Sequence, residues 1–197
     1  MERCLFGFSI LLWLAVPLIV RASTPTETVK TEVDAVIEIL RNPALKGETG
    51  LKVKRERIDT AASKLFDFAE LSKRSLGLYW NRFSSEERKE FVDLYRRLLE
   101  NVYVDRITAY TNEKIDFTRE VPLSENTVEV QSVVAARRGD VPIYYMVMKE
   151  DDEWKVFDVV IEGVSLVENY RTQFREILGN NPPEKLIETL RKKVGKK

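Results

Sequence analysis

Residues 154–174 read WKVFDVVIEGVSLVENYRTQF: a strand, a sharp break and an amphipathic helix in direct succession. In the strand, Trp154, Val156, Asp158 and Val160 alternate with Lys155, Phe157, Val159 and Ile161, which puts largely apolar side chains on both faces. A strand of this kind is covered on both sides. Glu162-Gly163 ends it, and Ser165 with Glu168 three residues on has the spacing of a capping box. Leu166, Val167, Tyr170, Phe174, Ile177 and Leu178 then recur at helical spacing as one stripe. Gly179 is expected as the C-cap, and Asn180-Asn181-Pro182-Pro183 stops the helix. Asp158 is a carboxylate in an otherwise apolar strand. Buried there it needs a partner, and a basic side chain on the packed helix, Arg171 foremost, is the expected one.

Outward toward the N-terminus the pattern keeps period two. Ile115 and Phe117, then Val128, Val130 and Val133 to Ala135, then Ile143 to Met148 mark three more strands. Arg138-Gly139-Asp140 and Asp151-Asp152 supply turns, so the four strands form an antiparallel meander. Helical patterns come before it. Thr24-Pro25-Thr26-Glu27 opens one whose stripe is Val29, Val33, Val36, Ile37 and Leu40; a second runs from about Lys52 to Phe68, and a short third reaches Leu76 before Gly77. Ser84 with Glu87 opens the longest, striped by Phe91, Leu94, Tyr95, Leu98, Leu99, Val102, Tyr103, Ile107 and Tyr110. That stripe fits a helix half sunk in a core and equally one that lines a cavity. At the C-terminus Leu186, Ile187, Leu190 and Val194 form a docking helix, against the domain or against a partner. Helices segregated around a meander give an α+β domain. The second apolar face of the sheet is left for more helices, a second copy of the chain or an apolar ligand.

The chain has 197 residues with 32 basic and 32 acidic side chains, and this balance offers nothing to nucleic acid. It contains no histidine, and its one cysteine is Cys4. Ser-His-Asp and Cys-His catalysis and a Cys/His zinc site are therefore excluded, and no phosphate-binding glycine loop is present. Glu2 and Arg3 precede the uncharged run from Leu5 to Val20, and Val20-Arg21-Ala22 has the form of a signal-peptidase site. The expectation is a signal peptide over 1–22, cut after Ala22, with an uncleaved anchor as the alternative. Residues 23–197 then make one domain, large enough for a real core.

The run Asp158 to Val167, DVVIEGVSLV, followed by Asn169-Tyr170-Arg171 and Gln173-Phe174, resembles the C-terminal signature of the MlaC family, periplasmic phospholipid-binding proteins also called toluene-tolerance proteins. Phe66-Asp67-Phe68, Gly77 to Trp80, and Phe91 with Leu98 and Tyr103 fall in the family's order. The resemblance implies an α+β fold, NTF2-like in outline, in which a four-stranded twisted antiparallel sheet flanked by N-terminal and C-terminal helices encloses a hydrophobic cavity. It implies a periplasmic carrier with no cofactor and no enzymatic activity. Such a carrier holds phospholipid by its acyl tails. It shuttles lipid between an outer-membrane lipoprotein and porin complex and an inner-membrane ABC transporter with a ring of substrate-binding domains, maintaining outer-membrane lipid asymmetry.

On this reading the tails lie against Val128, Val130, Tyr145, Val147, Val156 and Val160 on the sheet, and against Phe68, Leu98, Val102, Leu166, Val167, Tyr170 and Phe174 on the helices. That choice prefers the Val156 and Val160 face of the last strand over the Phe157 and Ile161 face. Each buried CH₂ contributes about 0.8 kcal/mol, so tails alone hold the lipid and headgroup selectivity is expected to be weak. The alternative is a small periplasmic α+β enzyme or adaptor. The enzyme would use Asp158, in an apolar pocket, as a general base of raised pKa.

Overall fold

A computed structural model describes residues 23–108, 113–136 and 139–195. The expected signal peptide at 1–22, Tyr110 and Arg138 lie outside the described residues. Helix α1, Pro25–Arg41, opens on both halves of its capping box: the Glu27 amide donates to Thr24 Oγ1 at 3.2 Å and the Thr24 amide donates to Glu27 Oε2 at 2.9 Å. Helix α2, Gly47–Leu65, begins about five residues before the sequence pattern suggests. No side chain caps its start; Gly47 turns the chain in at φ 70° instead, so there is no capping signature to read. It ends where Phe66 becomes extended and bridges in parallel to Val156. Helix α3, Phe68–Leu76, is capped by Asp67, and Gly77 at φ 54° starts a 3₁₀ turn over Gly77–Arg82 that the sequence did not signal. Helix α4, Ser85–Thr108, carries the expected Ser84 and Glu87 box.

The sheet follows: β1 Lys114–Ser124, β2 Thr127–Ala136, β3 Gly139–Glu150, β4 Glu153–Ile161 and β5 Val164–Ser165, an antiparallel meander in sequence order. The fifth strand is an addition to the four expected. Glu162 (φ 50°) and Gly163 (φ 81°) do not merely end β4; both are left-handed, as in a two-residue hairpin, and they fold Val164 and Ser165 back onto Ile161 and Val160. Helices α5, Leu166–Leu178, and α6, Pro183–Val194, complete the chain.

A β-bulge in β4 overturns the simple alternation of its side chains. Met146 pairs with Asp158 but Val147 pairs with Val156, which leaves Phe157 as the extra residue. An extra residue reverses the strand's parity. Val156 therefore shares a face with Val159 and Ile161, opposite Val147, Tyr145 and Ile143, while Asp158 and Val160 look the other way with Met146 and Tyr144. The expectation that Val156 and Val160 share a face is corrected accordingly.

Two cores result. Helices α3 to α6 close on a ring cluster in which Phe91 and Phe174 centroids are 5.4 Å apart, and those of Tyr95 are 5.1 Å from both Tyr170 and Phe174. Each such ring, fully buried, contributes about 1.5–3 kcal/mol. Leu186, Ile187, Leu190 and Val194 belong to this core, so α6 docks on its own domain. The second core lies between the sheet and the α1–α2 pair: Val29 and Leu65 pack on Val128, Val130, Val147 and Val156.

Asp158 joins the two. It is 8% exposed, and its partner is not Arg171. Its Oδ1 accepts from the amides of Val159 (2.8 Å) and Val167 (3.0 Å), and its Oδ2 from the Ser165 hydroxyl (2.5 Å). The free N–H groups at the start of α5 reach the strand directly and complement a negative charge, so no long basic side chain is required. Ser165 Oγ also accepts from the Glu168 amide at 3.0 Å, whereas the Glu168 carboxylate pairs with Arg171, whose Nε and Nη2 donate to the Arg74 carbonyl. Gly179 caps α5 in a right-handed conformation (φ −59°), with its amide on the Arg175 carbonyl.

Candidate binding cavity

The stripe of α1 does not end in a packed core. Val33, Val36, Ile37 and Leu40 recur at helical spacing but stay only half-buried, because they face a hollow of about 630 Å³. Its floor is one half of the inner sheet face: Val134 of β2, Val141, Ile143 and Tyr145 of β3, and Val159 and Ile161 of β4. Ile58, Ala61, Ala62 and Leu65 of α2 form a second wall, and Leu99, Tyr103, Val104 and Ile107 of α4 a third. Phe66, Phe68, Leu71 and Leu166 close the end against the helical core. The volume falls within the ordinary range for a ligand site, and the lining is apolar in the way such sites are. Small residues help to open it, since Ala61 and Ala62 occupy wall positions where larger side chains would reach inward.

Charge is confined to a few places. Arg96 of α4 donates from Nε to Asp59 Oδ1 of α2 at 3.1 Å, and its Nη2 donates to Asp59 Oδ2. The same guanidinium lies 5.5 Å from the Phe68 ring centroid. The Asp59 side chain holds the Arg96 pKa above its usual value. One turn further along α4, burial and then the charge of Asp59 raise the Glu100 pKa. Glu32 and Glu113 also line the hollow. Burial pushes the Tyr145 phenol up to about 12, against the Ser132 hydroxyl, so this side chain stays neutral. Among the described residues no group of His, Cys, Asp and Glu side chains is placed to hold a metal. None of the described helices is long and apolar enough to cross a membrane.

The residues singled out from the sequence distribute over five places. Phe68, Tyr145 and Leu166 line the hollow. Val128, Val130, Val147 and Val156 lie on the same sheet face but at its other half, packed beneath α1. Leu98, Val167, Tyr170 and Phe174 are in the helical core. Val102 is 41% exposed beside a buried Val104, and Val160 is half-buried on the opposite sheet face. Sequence reasoning passed over the α1 stripe and the Ile58, Ala61, Ala62 and Leu65 stripe as cavity walls. The signal present was the pair of alanines, since a stripe of small residues presents little volume to whatever it faces. Asp158 does not line the hollow.

The family model described as MlaC protein matches residues 30–192. The intermembrane phospholipid transport system binding protein MlaC of Haemophilus influenzae is 32% identical over 117 residues, 57% of this chain and 55% of that relative, so the match spans about half of the relative's length. The toluene tolerance protein ttg2D of Pseudomonas putida is 22% identical over 175 residues, 87% of this chain and 81% of the relative. Among solved structures, the phospholipid-binding protein from Ralstonia solanacearum in complex with a phospholipid superposes with a TM-score of 0.79 at 26% identity. That match covers 88% of this chain and 98% of the other.

Proposed function

This chain belongs to the MlaC family, and from that premise we propose that it is a phospholipid carrier whose cavity holds acyl tails. The observation that carries the reading is the hollow of about 630 Å³ walled by apolar side chains of α1, α2, α4 and the sheet. It is supported by the likeness to a structure solved with a phospholipid. An acyl chain of some fifteen carbons gains on the order of 12 kcal/mol by leaving water, before ordering costs, so no covalent step or cofactor is required to retain it. The tails lie against Phe68, Tyr145 and Leu166, joined by Val33, Val36, Ile37, Leu40 and Ile143. The remaining residues named from the sequence act as the packed frame around them.

In the cell the carrier works in the periplasm after removal of residues 1–22. It exchanges lipid with an outer-membrane lipoprotein and porin complex and with an inner-membrane ABC transporter bearing a ring of substrate-binding domains, and so maintains outer-membrane asymmetry. The resemblance of the sequence signature and the names of the two relatives support this place. An enzyme built on Asp158 finds no support, because that carboxylate is taken up by two amides and a hydroxyl at the foot of α5. The test is mass spectrometry of an organic extract of protein purified without detergent. Phospholipid in near-stoichiometric amount is the expected result. An extract with none, repeated after incubation with phospholipid vesicles, would overturn the carrier reading.

A further inference from the structure

Arg96 and Glu100 are separated by one turn of α4 and both line the hollow, so their side chains stand side by side. Arg96 is the single cation among the lining residues, fixed by its bidentate bond to Asp59 and by the Phe68 ring. Asp59 uses Nε and Nη2; among the described residues the Nη1 donors of the guanidinium are not engaged. Glu100 makes no hydrogen bond or ion pair with another described residue, although it feels the charges of Asp59, Arg96, Arg55 and Arg97. A fixed, partly open guanidinium beside a carboxylate that has no hydrogen-bond partner among the described residues is a dipole with a definite direction. Arg96 and Asp59 side chains are 34% and 28% exposed, which sets this dipole at the rim rather than in the apolar depth.

We propose that Arg96 and Glu100 form a headgroup-selecting pair that favours a zwitterionic lipid carrying an ammonium, such as phosphatidylethanolamine, over an anionic one such as phosphatidylglycerol. The inference rests on the carrier reading. A phosphate seated on Nη1 of Arg96 leaves the ammonium, one short ethylene link away, beside Glu100. The uncharged hydroxyls of a glycerol headgroup gain no ion pair there, and the net negative charge of that lipid meets Asp59 and Glu100 together. Burial raises the cost of an unpaired Glu100 carboxylate, which an incoming ammonium lowers. The weak selectivity expected from tails alone therefore gives way to a definite order.

The experiment incubates the protein with vesicles of equimolar dioleoyl phosphatidylethanolamine and phosphatidylglycerol, separates the two, and measures by mass spectrometry the lipid ratio per mole of lipid recovered. A partly exposed ion pair is worth a few tenths to one kcal/mol, so wild type is expected to carry roughly a two- to fivefold excess of the ethanolamine lipid. Glu100→Gln is expected to bring the ratio toward that of the vesicles and Glu100→Lys to invert it. Lys192→Gln removes an exposed charge on α6 that pairs with Glu188, away from the hollow, and should leave the ratio unchanged. A wild-type ratio equal to that of the vesicles, a preference that survives Glu100→Gln, or an equal shift in Lys192→Gln overturns the inference while the carrier reading stands. Wild type that takes up no lipid overturns both.

Discussion

The carboxylate of Asp158 accepts a hydrogen bond from the Val167 amide at 3.0 Å, so a side chain in the middle of β4 closes the first turn of α5. The bond crosses from the sheet to the helical core, and with Ser165 and Val159 it occupies both carboxylate oxygens. Replacing Asp158 with Ala strands buried donors, at a cost of about 1–3 kcal/mol. Asp158→Asn, which keeps one acceptor oxygen, should fall between. Urea unfolding checks the order, and an alanine variant as stable as wild type would contradict it.

Burial raises the Asp158 pKa, and the three donors only partly oppose that. The folded chain thus keeps this proton to higher pH than the unfolded chain does. Its contribution to stability is fully present below the unfolded value of about 3.9 and is lost as pH rises through the folded value. Asn does not titrate. The melting temperature of Asp158→Asn minus that of wild type should therefore climb as pH is raised from about 3.9 through the raised value. Thermal melts across that window test it, and a flat difference would show that the two states share one pKa.

Binding and folding should separate by mutation. Ala62→Phe grows into the hollow, so it is expected to lower the lipid recovered per chain at little cost in stability. Phe174→Ala removes a ring from the helical core. It should cost about 3–5 kcal/mol of stability and leave the lipid content of the folded fraction unchanged. Denaturant titration with lipid quantification on the same samples distinguishes the two effects.

Gly50 in the first turn of α2 is needed for closeness. A Cβ there would lie 2.4 Å from the carbonyl carbon of Leu45. Gly50→Ala therefore pushes the α1–α2 connection apart, and a loss of about 1–3 kcal/mol is expected. A variant as stable as wild type would mean that the connection yields freely.

Two ion pairs tie α2 to α4: Arg96 to Asp59 in the wall of the hollow, and Arg55 Nη2 to Asp105 Oδ1 at 2.9 Å outside its lining. Lipid leaves a walled site only if a wall moves. Removing both ties with Arg55→Gln and Asp59→Asn should speed transfer of a fluorescent phospholipid to acceptor vesicles by about two- to tenfold. Stopped-flow dequenching reads the rate, and no change would place the moving wall elsewhere.

The fold was legible in the sequence wherever a local signal fixes local structure. Thr24 with Glu27, Ser84 with Glu87 and the Asp151-Asp152 turn each sit at the boundary their chemistry predicts. Where the determinant is distant or backbone-only, the sequence was silent. Gly47 starts α2 by its left-handed φ without a cap, and the bulge at Phe157 follows from pairing with β3, which no feature of β4 announces. The cavity was legible in kind and not in place. Leu98 and Leu99 are adjacent on one apolar stripe and both belong to the helical core, yet only Leu99 also lines the hollow. An apolar residue reports that it avoids water, without reporting whether protein or empty space lies opposite.

The bulge in β4 acts like a shift of reading frame. Upstream of Phe157 odd and even positions address one pair of environments, and downstream they have exchanged. Drawing Phe157 into the regular ladder, with no bulge, would restore the plain alternation and turn Asp158 and Val160 toward the interior wall, with Val159 and Ile161 pointing away from it. The strand would keep its composition and its hydrogen-bonded neighbours, yet the anchor for α5 and the lining of the hollow would both be lost. One unpaired residue thus keeps two messages on a single strand from being read out of register.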